Sequence, residues 1–197
     1  MKLTRYIPEN NRLERIWKLA QVDFKRRYYH DRLGILWALI KPIFEVVIYF
    51  IVFTAVFKVE QENYALFIFA GIIIWSGFSE ATKRGMGLLG EKLYLIENIQ
   101  LNKLDLYLSY LLSVFMAMIF NLLAFIAIAI LTGSFSGVHL FWLPIIMVIF
   151  YIICLGIIMI LSCIQPFIKD LIHVWDMILL MGMWISGVFY PYKLIVY

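Results

Sequence analysis

Charge is scarce in this sequence. Asp, Glu, Lys and Arg make up 15% of its 197 residues, against about 25% in an ordinary soluble domain. A disordered chain needs the opposite balance, low hydrophobicity and high charge, and is excluded. Cysteine is scarcer still. Cys154 and Cys163 are the only two, and both lie inside an apolar run, so a disulfide scaffold is excluded as well. The three histidines, His30, His139 and His173, are scattered and offer no metal-ligand spacing. No serine occupies a nucleophile-elbow context. What is abundant is apolar surface: 64% of residues are hydrophobic and 17% aromatic, with a mean hydropathy of +0.90. A soluble chain of this size cannot hide so much. Its solvent is lipid, and the fold class expected is an all-α, polytopic membrane protein.

Charge-free runs locate the spans, each needing about 20 mostly apolar residues. The expected spans are about 36–57, 64–79, 106–131, 138–165 and 171–190. The third and fourth come from one run, Leu106 to Ile168, that is 63 residues long and without charge. As a single helix it would measure about 95 Å, some three bilayer cores. It must break, and Thr132-Gly133-Ser134-Phe135-Ser136-Gly137 is its only turn-like cluster. A β-barrel is excluded because the runs are continuous rather than alternating.

The basic residues set an expected orientation. Nine Lys/Arg fall within 1–35, and Lys83, Arg84, Lys92 and Lys103 cluster in the polar stretch 80–105. With the N-terminus in the cytoplasm, 15 of the 17 basic residues face inward, as the positive-inside bias requires. These charges flank lipid spans and read as topology signals and headgroup contacts, not as a nucleic-acid footprint. The first 33 residues are polar and basic, so no cleavable signal peptide is expected.

Two polar elements stand out. Within the N-terminal segment 1–35, Leu13, Ile16, Trp17, Ala20, Phe24 and Tyr28 form one apolar stripe at helical spacing. Arg12, Glu14, Arg15, Lys18, Gln21, Lys25 and Arg26 occupy the other face. Such a helix suits the headgroup plane of the inner leaflet, either as a simple anchor or as a collar against a partner subunit. The second element is the 80–105 loop. It mixes Leu, Ile and Tyr with charge, and Leu88, Leu89, Leu93 and Ile96 could make a short amphipathic helix. A loop of this length is usually functional, and docking of a cytoplasmic protein is favoured over a passive continuation of the spans. Gly85-Met86-Gly87-Leu88-Leu89-Gly90 matches G-x-G-x-x-G, but a strand and a βαβ unit would have to surround it. As a P-loop it fails too, since Glu91 stands where Lys is needed. The chain is expected to bind no nucleotide itself.

Within the spans, Glu45 lies one turn from Lys41, either as a snorkelling pair or as part of a polar path. Asn121 suits an interhelical hydrogen bond. Tyr49, Phe50, Phe53 and Phe57, Trp75 and Phe78, and Trp184, Phe189 and Tyr190 read either as lipid-facing bulk or as a lumen whose rings stack on sugars.

Three motifs carry a resemblance. Asp23-Phe24-Lys25-Arg26-Arg27-Tyr28 leads into Leu33-Gly34-Ile35-Leu36-Trp37-Ala38-Leu39-Ile40-Lys41-Pro42. Phe167-Ile168-Lys169-Asp170 follows the fourth span, and Ser186-Gly187-Val188-Phe189-Tyr190-Pro191 ends the fifth. In order and spacing the chain resembles the permease subunits of ATP-binding-cassette type 2 exporters that move O-antigen, capsular and teichoic-acid polysaccharides. It departs from them at Leu101-Asn102 (usually Phe-Pro), at Lys169 (usually Arg) and at Gly187 (usually Pro).

The resemblance implies a channel-forming homodimer in the bacterial cytoplasmic (inner) membrane. ATP and Mg2+ would be bound by a separate ATPase subunit, no cofactor by this chain, and the cargo would be a lipid-linked glycan. It implies ATPase contacts at Lys83, Arg84, Glu91, Lys92, Glu97 and Asn98. A channel lining would draw on Glu45, Tyr49, Phe53, Trp75 and Phe78, and an interfacial helix on Trp17, Phe24, Arg26 and Arg27. The family has a sixth span, which this sequence, stopping at Tyr197, is expected to lack. An exporter of a drug or lipid, or a non-transporting scaffold, is the alternative.

Overall fold

The computed structural model describes residues 11–28, 34, 36–52, 55, 63–93, 96, 101–134 and 141–189. These form seven helices in chain order: α1 (Arg12–Tyr28), α2 (Leu36–Ile51), α3 (Tyr64–Met86), α4 (Leu88–Glu91), α5 (Lys103–Leu131), α6 (Leu143–Ile164) and α7 (Leu171–Ile185). There is no strand among the described residues. The chain is an all-α polytopic membrane protein. α3, α5 and α6 are each long and apolar enough to cross a bilayer, and α7 is apolar but shorter.

Local chemistry sets the helix ends. The Asn102 side chain accepts a hydrogen bond from Leu104 N at 3.0 Å and caps α5, satisfying one of the orphan donors of the first turn. α5 stops at Leu131, where Thr132 and Gly133 turn the chain and Gly133 takes φ +69°, a conformation that glycine adopts without strain. Pro144 in the first turn of α6 costs no hydrogen bond there. α3 does not stop with the apolar run at Ser79; it continues seven residues to Met86. The polar stretch therefore begins as helix, and α4 occupies only four of its residues.

α3 is the centre of the bundle and packs against α2, α5, α6 and α7, while α1 lies along α5. The larger core joins α1, α3, α5 and α6 through Leu19, Ala81, Leu106, Tyr110, Leu111 and Ile158. A second core, at the other end of α3, gathers Tyr64, Ile68 and Ile72 around Val188 and Phe189. The outer faces of α2, α6 and α7 remain apolar and exposed, as surfaces solvated by lipid should be.

α1 differs from its expected stripe. Ile16, Leu19 and Ala20 are buried, whereas Leu13 is 78% and Trp17 46% exposed. The buried face is rotated, because Arg15 turns inward and Arg12, still open to water, reaches across to the same carboxylate.

Candidate functional site

The reason for that rotation is a row of ion pairs. Asp105 is fully buried, and its two carboxylate oxygens accept from Arg12 Nε at 2.8 Å and Arg15 Nη2 at 2.6 Å. Further along α1, Asp23 pairs with Lys92. At its end, Arg27 Nη1 lies 3.2 Å from Glu80 Oε1 and its guanidinium sits over the Tyr110 ring, 5.9 Å from the centroid. A buried carboxylate needs partners, and Asp105 receives two. Four charged residues of α1 thus share a face with Ile16, Leu19 and Ala20. They reach the start of the 80–105 segment (Glu80), its middle (Lys92) and its end (Asp105). α1 lies across this segment as a splint. Burial pushes the Tyr28 phenol above its ordinary range and the Glu80 carboxylate adds to it, so Tyr28 stays protonated.

The end of α3 is tied to other helices as well. The Tyr110 hydroxyl donates to Glu80 O at 3.0 Å. Trp175 Nε1 donates to Thr82 Oγ1 at 3.0 Å, and Lys83 Nζ lies 2.9 Å from Asp176 Oδ1. A Cβ on Gly85 would fall 2.7 Å from Ile158 Cγ2, so α6 presses against the α3 backbone there. Gly85 and Gly90 of the G-x-G-x-x-G stretch lie in helices and Gly87 in the turn between them. The helix α3, not a strand, leads directly into them, which is the wrong setting for a dinucleotide turn.

Of the expected docking residues, Lys83, Arg84 and Glu91 are exposed and Lys92 is partly buried against Asp23. Arg84 lies 4.0 Å from Glu80. Glu97 and Asn98 lie outside the described residues. The structure brings Lys83, Arg84, Glu91 and Lys92 to one end of the bundle, on the α3–α4 turn and its flanks.

A second cluster occupies the opposite half of the bundle. Phe189 stacks near Tyr49 (ring centroids 4.5 Å apart) and Trp184 (5.1 Å), and its carbonyl accepts from the Tyr64 hydroxyl at 2.9 Å. Trp75 packs on Phe78 at 5.7 Å. Beside them an open groove of about 280 Å³ is lined by Phe67, Ala70, Gly71, Ile74, Trp75, Ser186, Gly187 and Val188. Tyr49 and Trp75, both expected to line a channel, meet in this cluster. Phe78 sits nearer the other core, Glu45 is partly buried on α2, and Phe53 lies outside the described residues. On α1, Phe24 contacts Tyr28 and Phe120, Arg26 is exposed, and Arg27 serves the splint.

Sequence reasoning missed Arg12, Arg15, Asp23, Glu80 and Asp105 as a connected set, and Thr82, Trp175 and Asp176 as another. One signal was present: Arg12, Arg15, Asp23 and Arg27 fall at the spacing of Ile16, Leu19 and Ala20, so they share their face.

Comparison with known proteins agrees with this architecture. The chain belongs to the ABC-2 type transporter family, matching it over residues 14–197. It is similar to the O-antigen export system permease protein RfbA of Myxococcus xanthus, 24% identical over 173 residues, which cover 88% of this chain and 66% of that protein. It is also similar to an O-antigen export system permease protein RfbA of Klebsiella pneumoniae, 25% identical over 154 residues, covering 78% of this chain and 60% of the relative. The chain thus spans less than two thirds of the length of the curated relatives it matches.

Proposed function

We propose that this chain is the channel-forming membrane subunit of an ATP-driven exporter of lipid-linked cell-surface polysaccharide, powered by a separate ATPase. The observation that carries the reading is the splinted 80–105 segment. A passive loop needs no such bracing, whereas a surface that transmits force does. Three ion-pair sites hold this one against α1, and Asn102 caps the helix that follows it. Family membership and the names of the relatives support export, and polysaccharide as the cargo. The aromatic cluster beside the groove fits a cargo with apolar sugar faces, since rings stack on such faces without fixing one register.

In this reading two copies assemble in the bacterial inner membrane with their N-termini in the cytoplasm. ATP and Mg2+ belong to the partner subunit, and the chain itself performs no catalysis. Lys83, Arg84, Glu91 and Lys92 form the contact. Closure of the ATPase pair pushes on α4, and the push passes straight into α3, because α3 and α4 are joined at Gly87.

The test is an affinity pull-down of the detergent-solubilised chain from its native membrane, with partners identified by mass. The expected result is an ATPase subunit in equal amount, depleted in the variant Arg84→Glu/Glu91→Lys, whose altered side chains are both exposed. Undiminished capture by that variant would remove the coupling role. Absence of any ATPase would favour a membrane scaffold.

A further inference from the structure

α3 and α7 run antiparallel and touch at successive levels. At the basic end, Trp175 donates to Thr82 at 3.0 Å and Lys83 pairs with Asp176 at 2.9 Å. Seven residues along α7, a Cβ on Gly182 would fall 2.7 Å from Trp75 Cη2. Past the end of α7, Val188 lies against Gly71, where a Cβ would fall 2.8 Å from Val188 Cγ1. Last, Phe189 O accepts from Tyr64 at 2.9 Å. The contacts advance along α7 and the turn that follows it at 175, 182, 188 and 189 and retreat along α3 at 82, 75, 71 and 64.

Two of these levels are closed by glycine, where a side chain meets backbone with no room between. Such packing has one register: a slide of either helix drives Trp75 or Val188 into the facing chain. The levels span from the end of α3 next to α4 to the turn that lines the groove.

We infer that α3 and α7 move as one body, so that the lock of Thr82 and Lys83 with Trp175 and Asp176 positions the 186–189 turn at the far end of the groove. Thr82, Lys83, Trp175 and Asp176 are then positioning residues for a site they do not touch. This mechanical claim stands apart from the export reading, since it concerns the isolated membrane subunit. Joined to that reading, it names the route by which a push on α4 reaches the aromatic cluster.

The experiment needs no ATPase. Ser186→Cys, exposed at the turn, is introduced with Cys154→Ala and Cys163→Ala. Its labelling rate by a membrane-permeant maleimide is then measured in isolated membranes. Lys83→Asp sets two carboxylates against each other and should change the rate on the order of fivefold. Lys83→Asp/Asp176→Lys should return it to the starting value, and Trp175→Phe, which keeps the ring and loses the donor, should give a smaller change. A second reporter, Phe141→Cys at the start of α6, should label at the same rate in all of these backgrounds. Two results would overturn the inference: an unchanged rate at position 186 after Lys83→Asp, or equal changes at 186 and 141, which report general loosening. Lys83 and Asp176 are both partly exposed, so the single reversal leaves a folded bundle to measure.

Discussion

At Gly85, one added methyl group would press on Ile158 at 2.7 Å. Both residues are buried, where α3 crosses α6. Inserting a methyl into a tight contact costs about 1–3 kcal/mol. Gly85→Ala is therefore expected to lower the unfolding midpoint of the solubilised chain. Ile158→Ala alone also destabilises, by emptying a packed site. Combined, the two losses should fall short of their sum by about 1 kcal/mol or more, because the new methyl occupies space that Ile158 vacates. Strict additivity would mean that the two residues do not meet. This glycine was visible in the sequence only as part of a nucleotide-binding look-alike. The spacing could reject the look-alike, but it could not show that the residue holds two helices together, since the partner lies 73 positions away. Asp105 is the same case in charge: adjacent residues give no hint that two arginines from α1 will bury it.

Along a whole helix, the sequence speaks with more authority. Charge-free runs mark where lipid-solvated helices lie, because a charge at mid-bilayer is expensive. The turn at Thr132 and Gly133 is written in residue types that end helices. α1 was legible as a helix, but not the direction it faces. Periodicity places Arg and Lys outside by default, and here Arg15 and Arg27 point in, with Arg12 at the rim, because carboxylates wait for them. The splint makes a prediction at this level. Asp105→Ala leaves Arg15 with a partly buried, unpaired charge, a loss of no more than about 3 kcal/mol, the lower end for a broken buried pair, since Arg12 reaches water. α1 should then detach and fray, so that the chain is cut by trypsin at Lys25 and Arg26, whose side chains are already exposed, in membranes whose spanning helices remain protected. Asp23→Lys should do the same more mildly, and Asp23→Lys/Lys92→Asp should restore resistance. Equal trypsin sensitivity in all variants would show that the apolar face of α1 holds it without the charges.

Over the molecule as a whole, the charge map and the helix order make one further demand. Basic residues gather at the α1 end of the bundle, and the α5–α6 turn lies at the other. In a background with Cys154→Ala and Cys163→Ala, a Ser134→Cys variant should react with an impermeant maleimide in intact cells. A Lys18→Cys variant should react only after permeabilisation. The reverse pattern would invert the orientation proposed for the chain. The aromatic cluster belongs to this scale too. Its members were each legible as rings, but their meeting depends on α2, α3 and α7 converging, which no single segment encodes.

The ion pairs of α1 also carry a consequence for how the protein is made. α1 leaves the ribosome before its partners, which come 53 to 93 positions later: Arg27 and Glu80 lie closest in sequence, Asp23 and Lys92 are separated by 69 residues, and Arg12 and Asp105 by 93. At ordinary translation speeds Arg12 precedes Asp105 by roughly 5–20 s. During that interval the helix has an apolar strip and a row of arginines with nothing in the nascent chain to receive them. An anionic bilayer surface supplies both kinds of contact. α1 can thus complete its docking only once α5 has been made, and until then the membrane surface is the partner its exposed face would find.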